Sequence, residues 1–160
     1  GHMVTNFLKK KYKVFAFGRN ENSKIDSVEY IKIDLNDLDK LYSDLEQNKI
    51  NFVINCIGML VKESEEKKNQ AIFINSYLPH VISDYSIKLN FKFIHISTDC
   101  VFSGKSNFFY SDHDLPDATD FYGITKSIGE KISAYMRRNL MLFSARHSEI
   151  AIFPSNNMFN

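Results

Sequence analysis

The sequence predicts an α/β fold, doubly wound about a parallel sheet, and three observations carry that prediction. Short apolar runs rich in β-branched and aromatic residues recur at residues 14–17, 30–33, 52–57 and 91–96, each bounded by polar or glycine-containing turns. Between them apolar residues return at helical spacing, first Leu38, Leu41 and Leu45, then Leu78, Val81, Ile82, Tyr85 and Leu89. Strand and helix therefore alternate, and alternation of this kind builds βαβ units whose crossovers make the strands parallel and cover both faces of the sheet with helix.

The remaining elements follow from local signals. Asp120 is placed to cap a third helix, along which Phe121, Ile124, Ile128, Ile132 and Tyr135 line one face; the chemistry is expected on the opposite face. The stretch 103–119, with Gly104, Pro116 and several Asp and Ser residues, reads as a loop. Residues 140–143 read as one more strand and 151–160 as a loose tail. With no internal repeat, low-complexity tract or Pro/Gly-rich linker, residues 1–160 are expected to form one domain.

Composition excludes several functional classes. Twenty Lys+Arg against nineteen Asp+Glu leave a formal net charge of +1, so the total charge makes no case for nucleic acid or an anionic membrane as partner. Local runs of lysine at residues 9–13, and of mixed charge at 63–68, read as solvated faces. Two cysteines, Cys56 and Cys100, without CxxC spacing suit a reducing compartment, and no apolar run approaches the ~20 residues that span a bilayer; a cytoplasmic protein is expected. The five histidines, His2, His80, His95, His113 and His147, show no metal-ligand spacing, and neither a GxSxG elbow nor a GxxxxGK[ST] phosphate loop occurs.

One constellation carries chemistry. Tyr122 and Lys126 are four residues apart and hence on one helical face, where an ammonium is expected to favour phenolate and lower the tyrosine pKa. Such a phenol suits acid/base work at a carbonyl. The spacing alone is weak, since an exposed helical pair has the same signature. Its context is stronger: the strand at 91–96 runs into Ser97-Thr98-Asp99-Cys100, at the strand end where parallel sheets gather reactive groups, so that Thr98 stands ready to hydrogen-bond the same substrate oxygen.

The run Ile-Ser-Thr-Asp-Cys-Val-Phe-Ser-Gly, followed by Tyr-Gly-Ile-Thr-Lys-Ser-Ile-Gly-Glu, resembles extended short-chain dehydrogenases/reductases, most closely the dTDP-4-dehydrorhamnose reductase type. The resemblance implies a Rossmann-like sheet, NADP or NAD as cofactor, and Thr98, Tyr122 and Lys126 as the catalytic set, with Lys126 also holding the nicotinamide ribose. Residues 52–58, Phe-Val-Ile-Asn-Cys-Ile-Gly, look like the family's fourth strand and its cofactor-contacting turn, which places Asn55, Cys56, Ile57 and Gly58 at the cofactor. The stretch Ile74-Asn75-Ser76-Tyr77-Leu78-Pro79 resembles the following helix, in which Asn75 supports the site. Asp34-Leu35 matches the acidic-apolar pair that contacts adenine. Arg19, after the second strand of the family pattern, stands where it would meet a 2′-phosphate and favour NADP.

The family pattern opens with a strand and a GxxGxxG turn that holds the cofactor pyrophosphate. Here the opening Gly-His-Met-Val-Thr-Asn-Phe-Leu reads as the helix after that turn, and Gly1-His2-Met3-Val4 fits either a tag remnant or the end of the turn itself. The expected sheet thus lacks its first strand, and the substrate lobe that follows in the family is absent from the pattern. The function implied is reduction of a nucleotide-activated 4-keto-6-deoxysugar for surface polysaccharide. An epimerase or dehydratase of the same superfamily, a non-catalytic reductase-like module, or an inactive fragment are the alternatives. The partners implied are a nucleotide-sugar substrate and, because helix pairing between subunits is common in this family, a homodimer.

Overall fold

The computed structural model describes residues 1–19, 25–105, 109–111, 113–131 and the backbone of 140–143. They divide into two compact units, one within Gly1–Ile50 and one that opens at Asn51. Both are α/β with parallel strands, as the alternation of apolar runs predicts.

In the first unit, helix α1 (His2–Leu8) precedes strand β1 (Phe15–Gly18), which pairs in parallel with β2 (Glu29–Lys32), Phe15 opposite Glu29. The Tyr30 side chain lies over Gly18, where a Cβ would come within 2.6 Å of its hydroxyl. Helix α2 (Leu38–Gln47) starts where Asp37 accepts a hydrogen bond from Lys40 N at 2.9 Å, and it buries Leu41 and Leu45. The periodic leucines are thus the packing face.

In the second unit, β3 (Phe52–Asn55), β4 (Lys92–Ile96) and β5 (Leu140–Phe143) form a parallel sheet in that order. Strand β3 ends two residues earlier than its apolar run suggests, because Asn55 Oδ1 accepts from Ile57 N at 3.0 Å and folds the chain into a turn. Between β3 and β4 come α3 (Val61–Glu66), α4 (Lys68–Ala71), a π-helical turn (Ile72–Tyr77) and α5 (Leu78–Lys88). Leu78 N donates to Phe73 O, five residues back, and Pro79 after it has no N–H to offer the carbonyl of Asn75. Leu78, Ile82, Phe91, Phe93 and Val101 supply the apolar core.

Helix α6 (Phe121–Glu130) begins as expected, with Asp120 Oδ1 accepting from Gly123 N at 2.9 Å. Its packed face, however, differs from its apolar stripe. Ile124 and Ile128 are 39% and 45% exposed, whereas Gly123, Thr125, Lys126 and Gly129 are buried. The two glycines explain this. A Cβ on Gly123 would lie 2.2 Å from Cys100 O, and one on Gly129 would lie 2.2 Å from Asn75 O, so only glycine lets the helix backbone come this close. Ile132 and Tyr135, expected on the apolar stripe, and the expected tail lie outside the described residues.

Candidate active site

Three chain segments build the site in the second unit: the turn after β3, the π-helical turn, and the end of β4 together with α6. Each is held by buried polar groups. Asn75 is fully buried, and its amide clamps Met59 from both sides: Met59 N donates to Oδ1 at 2.8 Å while Nδ2 donates to Met59 O at 3.1 Å. The same Nδ2 donates to Thr125 Oγ1 at 3.2 Å, and Ser76 Oγ donates to Thr125 O at 2.8 Å, so the π-helical turn is tied to α6. Wide helical turns of this type recur where a side chain must be aimed at a site.

Thr98 follows β4 and opens a single 3₁₀ turn (Asp99–Val101), its Oγ1 accepting from Cys100 N at 3.2 Å. Tyr122, one residue into α6, is half-buried, and the Thr98 side chain stands near enough to act on its phenol. Lys126 lies one turn farther along the same face, buried, with Nζ donating to Ile96 O at 2.9 Å. Beneath it, Glu130 accepts from the hydroxyl of Ser97. The structure therefore brings Thr98, Tyr122, Lys126, Asn55, Gly58 and Asn75 into one unit. A Cβ on Gly58 would stand 3.6 Å from Asn75 Oδ1 and 4.0 Å from Lys126 Nζ. Cys56 and Ile57 are half-buried in the same turn.

The electrostatics correct one expectation. The Tyr122 phenol is raised above its ordinary value, first by burial and then by the charges of Cys100, Asp99 and Asp120, with the Thr98 side chain pulling the other way. Lys126 is not among the groups that set this shift; burial of the phenol outweighs them. Lys126 itself falls to about 8, as burial outweighs the attraction of Glu130 and Cys56.

The residues expected at the adenine end lie in the first unit. Arg19 is exposed immediately after β1. Asp34, exposed after β2, turns its Oδ1 onto Asn36 N (3.0 Å) and Asn36 Nδ2 (2.9 Å), with Leu35 half-buried beside it. The helix cap falls to Asp37, so capping α2 does not account for Asp34. Among the described residues, no three His, Cys, Asp or Glu side chains are arranged to hold a metal ion.

Sequence reasoning missed Gly123, Gly129, Ser64, Thr125 and His95. The glycines left a legible signal: two of them inside an otherwise regular helix sacrifice ~1 kcal/mol each in propensity, which close packing explains. Ser64, which donates to Met59 O at 3.1 Å, and Thr125 and His95, whose partners Asn75 and Asn55 are distant in sequence, left none.

A family model described as the RmlD substrate binding domain matches residues 1–145. The probable low-salt glycan biosynthesis reductase Agl14 of Haloferax volcanii is 30% identical over 100 residues, covering 62% of this chain and 33% of its own. A hypothetical dTDP-4-dehydrorhamnose reductase from Sulfolobus tokodaii superposes with a TM-score of 0.76 at 24% identity, over 88% of this chain and 50% of that one. The dTDP-4-dehydrorhamnose reductase of Bacillus anthracis, solved in complex with NADP, gives 0.67 at 18% identity, over 87% and 48%. At these identities the likeness to the two solved structures speaks for the fold. The chain spans 25% to 41% of the length of the curated relatives it matches. With the Rossmann-like order of elements in place and the match running through both motifs, the resemblance read from the sequence is borne out, and the chain belongs to the RmlD substrate binding domain family.

Proposed function

We propose that this chain is the dinucleotide-binding part of a reductase that uses NADPH or NADH to reduce the 4-keto group of a nucleotide-activated 6-deoxysugar. The observation that carries the reading is the grouping of Thr98, Tyr122 and Lys126 at the carboxyl end of β4. The reductase activity named for Agl14, and the NADP bound by the Bacillus anthracis enzyme, support the same reading.

The residues present fit such a cofactor. Lys126 directs one of its three ammonium protons at Ile96 O, which leaves two for acceptors such as ribose hydroxyls. Gly58 keeps the turn beside it clear of any side chain. Arg19, Asp34 and Leu35 stand after parallel strands, where dinucleotides are bound in sheets of this class, and Arg19 would favour NADP through a 2′-phosphate. When bound, the reduced nicotinamide supplies the hydride.

This chain's own residues handle the proton. A phenol raised by burial keeps its proton at neutral pH, which suits Tyr122 to donate it to the carbonyl oxygen as negative charge develops there. Thr98, beside that phenol, aligns the same oxygen. Lys126, with a pKa of about 8, is a cation that helps the phenolate left behind to regain a proton. The nucleotide-activated sugar is then the partner. The exposed Ile124 and Ile128 on α6 suit the family's helix pairing between subunits. No helix among the described residues is long and apolar enough to cross a membrane.

Calorimetric titration of the chain with NADPH and with NADH tests the reading, and Tyr122→Phe in the longer protein sharpens it. We expect micromolar cofactor binding that the substitution leaves largely intact, while turnover is lost. A folded chain that binds neither cofactor would instead favour a non-catalytic module, and unchanged turnover would remove Tyr122 from the mechanism.

A further inference from the structure

His95 is wholly buried in the middle of β4, outside the grouping just described, and its surroundings allow it only one protonation state. The register of the sheet places it directly opposite Asn55 on β3, so that the two side chains meet across the ladder, Asn55 Nδ2 to His95 Nδ1 at 3.2 Å. Which atom donates is decided by the other end of the Asn55 amide. Its Oδ1 accepts from Ile57 N at 3.0 Å, so the NH₂ group is the end that faces the imidazole. An NH₂ group only donates. His95 Nδ1 must therefore be bare, and the neutral ring carries its proton on Nε2.

That proton is buried without a hydrogen-bond partner among the described residues. An unpaired buried donor is a cost that leucine or phenylalanine at this position would avoid, so packing by itself does not account for a histidine here. The compensating gain lies at Nδ1. We propose that His95 is a positioning residue: as a neutral Nε2–H tautomer it holds the Asn55 amide, and through that amide it sets the turn Asn55–Gly58.

The turn is consequently pinned at both ends by buried amides. His95 and Asn55 hold its entrance, while Asn75 holds Met59 at its exit and reaches Thr125, the neighbour of Lys126. Gly58 lies between the two pins, next to Lys126 Nζ. Protonating Nδ1 would set an imidazole N–H against the Asn55 NH₂ and release the entrance. The groups that face His95 oppose this: Lys126 on α6 and His80 on α5 both hold its pKa down, after burial, to about 3. The ring therefore stays neutral where an ordinary histidine titrates. Any effect on cofactor affinity rests on the function proposed above; the tautomer and the turn do not.

The test begins with the unmodified chain. Nitrogen-15 correlation spectra of the imidazoles, recorded from pH 8 to pH 5, are expected to show His95 with a protonated Nε2 and bare Nδ1 throughout. A proton on Nδ1, or titration of His95 within that range, would overturn the proposal. Hydrogen exchange of the Ile57 amide then reads the turn: His95→Leu is expected to speed it about tenfold, the equivalent of one lost hydrogen bond. His95→Asn, whose Oδ1 stands near the position of Nδ1, is expected to restore much of that protection. Unchanged exchange in His95→Leu would refute the positioning role. Should that variant fail to fold, the tautomer in the parent chain still decides. NADPH titration of the same proteins is scored separately: absent binding in the parent chain refutes the function proposed above, not the positioning role, which the tautomer and the Ile57 amide settle independently.

Discussion

Replacing Lys126 with methionine should stabilise the folded chain at neutral pH, and in alkali the gain should be lost, leaving only the missing hydrogen bond to Ile96 O. Burial lowers the lysine from 10.5 to about 8, and at ~1.4 kcal/mol per unit the charge is disfavoured by roughly 3 kcal/mol in the folded state. The unfolded chain binds this proton more tightly than the folded one, so stability rises with pH between about 8 and 10.5 and the full cost is present below 8. Methionine keeps the aliphatic volume and removes the charge; it also removes the hydrogen bond to Ile96 O, a loss of ~1 kcal/mol. The variant is therefore expected to exceed the parent by about 2 kcal/mol at pH 7. Urea unfolding of both proteins, followed by circular dichroism because the chain has no tryptophan, measures the difference at pH 7 and again at pH 10.5. Groups other than Lys126 titrate in both proteins and cancel. A difference that stays constant between the two pH values would refute the burial argument. A lysine kept at such a cost is what a functional site leads one to expect.

Two further substitutions probe how α6 is seated. Gly129→Ala would bring a Cβ to 2.2 Å from Asn75 O, an overlap the backbone relieves only by moving, so the ~1–3 kcal/mol of strain should exceed the ~1 kcal/mol gained in helix propensity. Thermal melting should show a lower midpoint, and a higher one would mean that α6 does not approach the π-helical turn as described. Asp120→Ala removes the acceptor for Gly123 N and should lower the unfolding free energy by ~1 kcal/mol in the same urea assay; no loss would show that the cap is dispensable.

Much of this molecule was readable from local chemistry. The strands at β1, β2, β3, β4 and β5 and the helices at α2 and α5 stand within a few residues of their apolar periods, because those periods report which face of an element is driven from water, and α6 stands where its cap and periodicity place it although it buries another face. The Asp120 cap was likewise readable, since a carboxylate bonded to an N–H three residues on is a local interaction. Thr98, Tyr122 and Lys126 could be nominated from the strand end, the helical spacing and the family resemblance of the two motifs that hold them.

The tertiary structure decided what depends on distant partners. Helix α6 packs through glycine, threonine and lysine rather than through its isoleucines, because the carbonyls of Cys100 and Asn75 come so close that no side chain fits between. The Tyr122 phenol is raised rather than lowered, because packing of α6 buries it beside Asp99 and Asp120. Asn55 meets His95 only because two strands forty residues apart align in one register. Spacing along a chain reports faces; burial, close approach and hydrogen-bond partners are properties of which faces meet, and those exist only once the chain has folded.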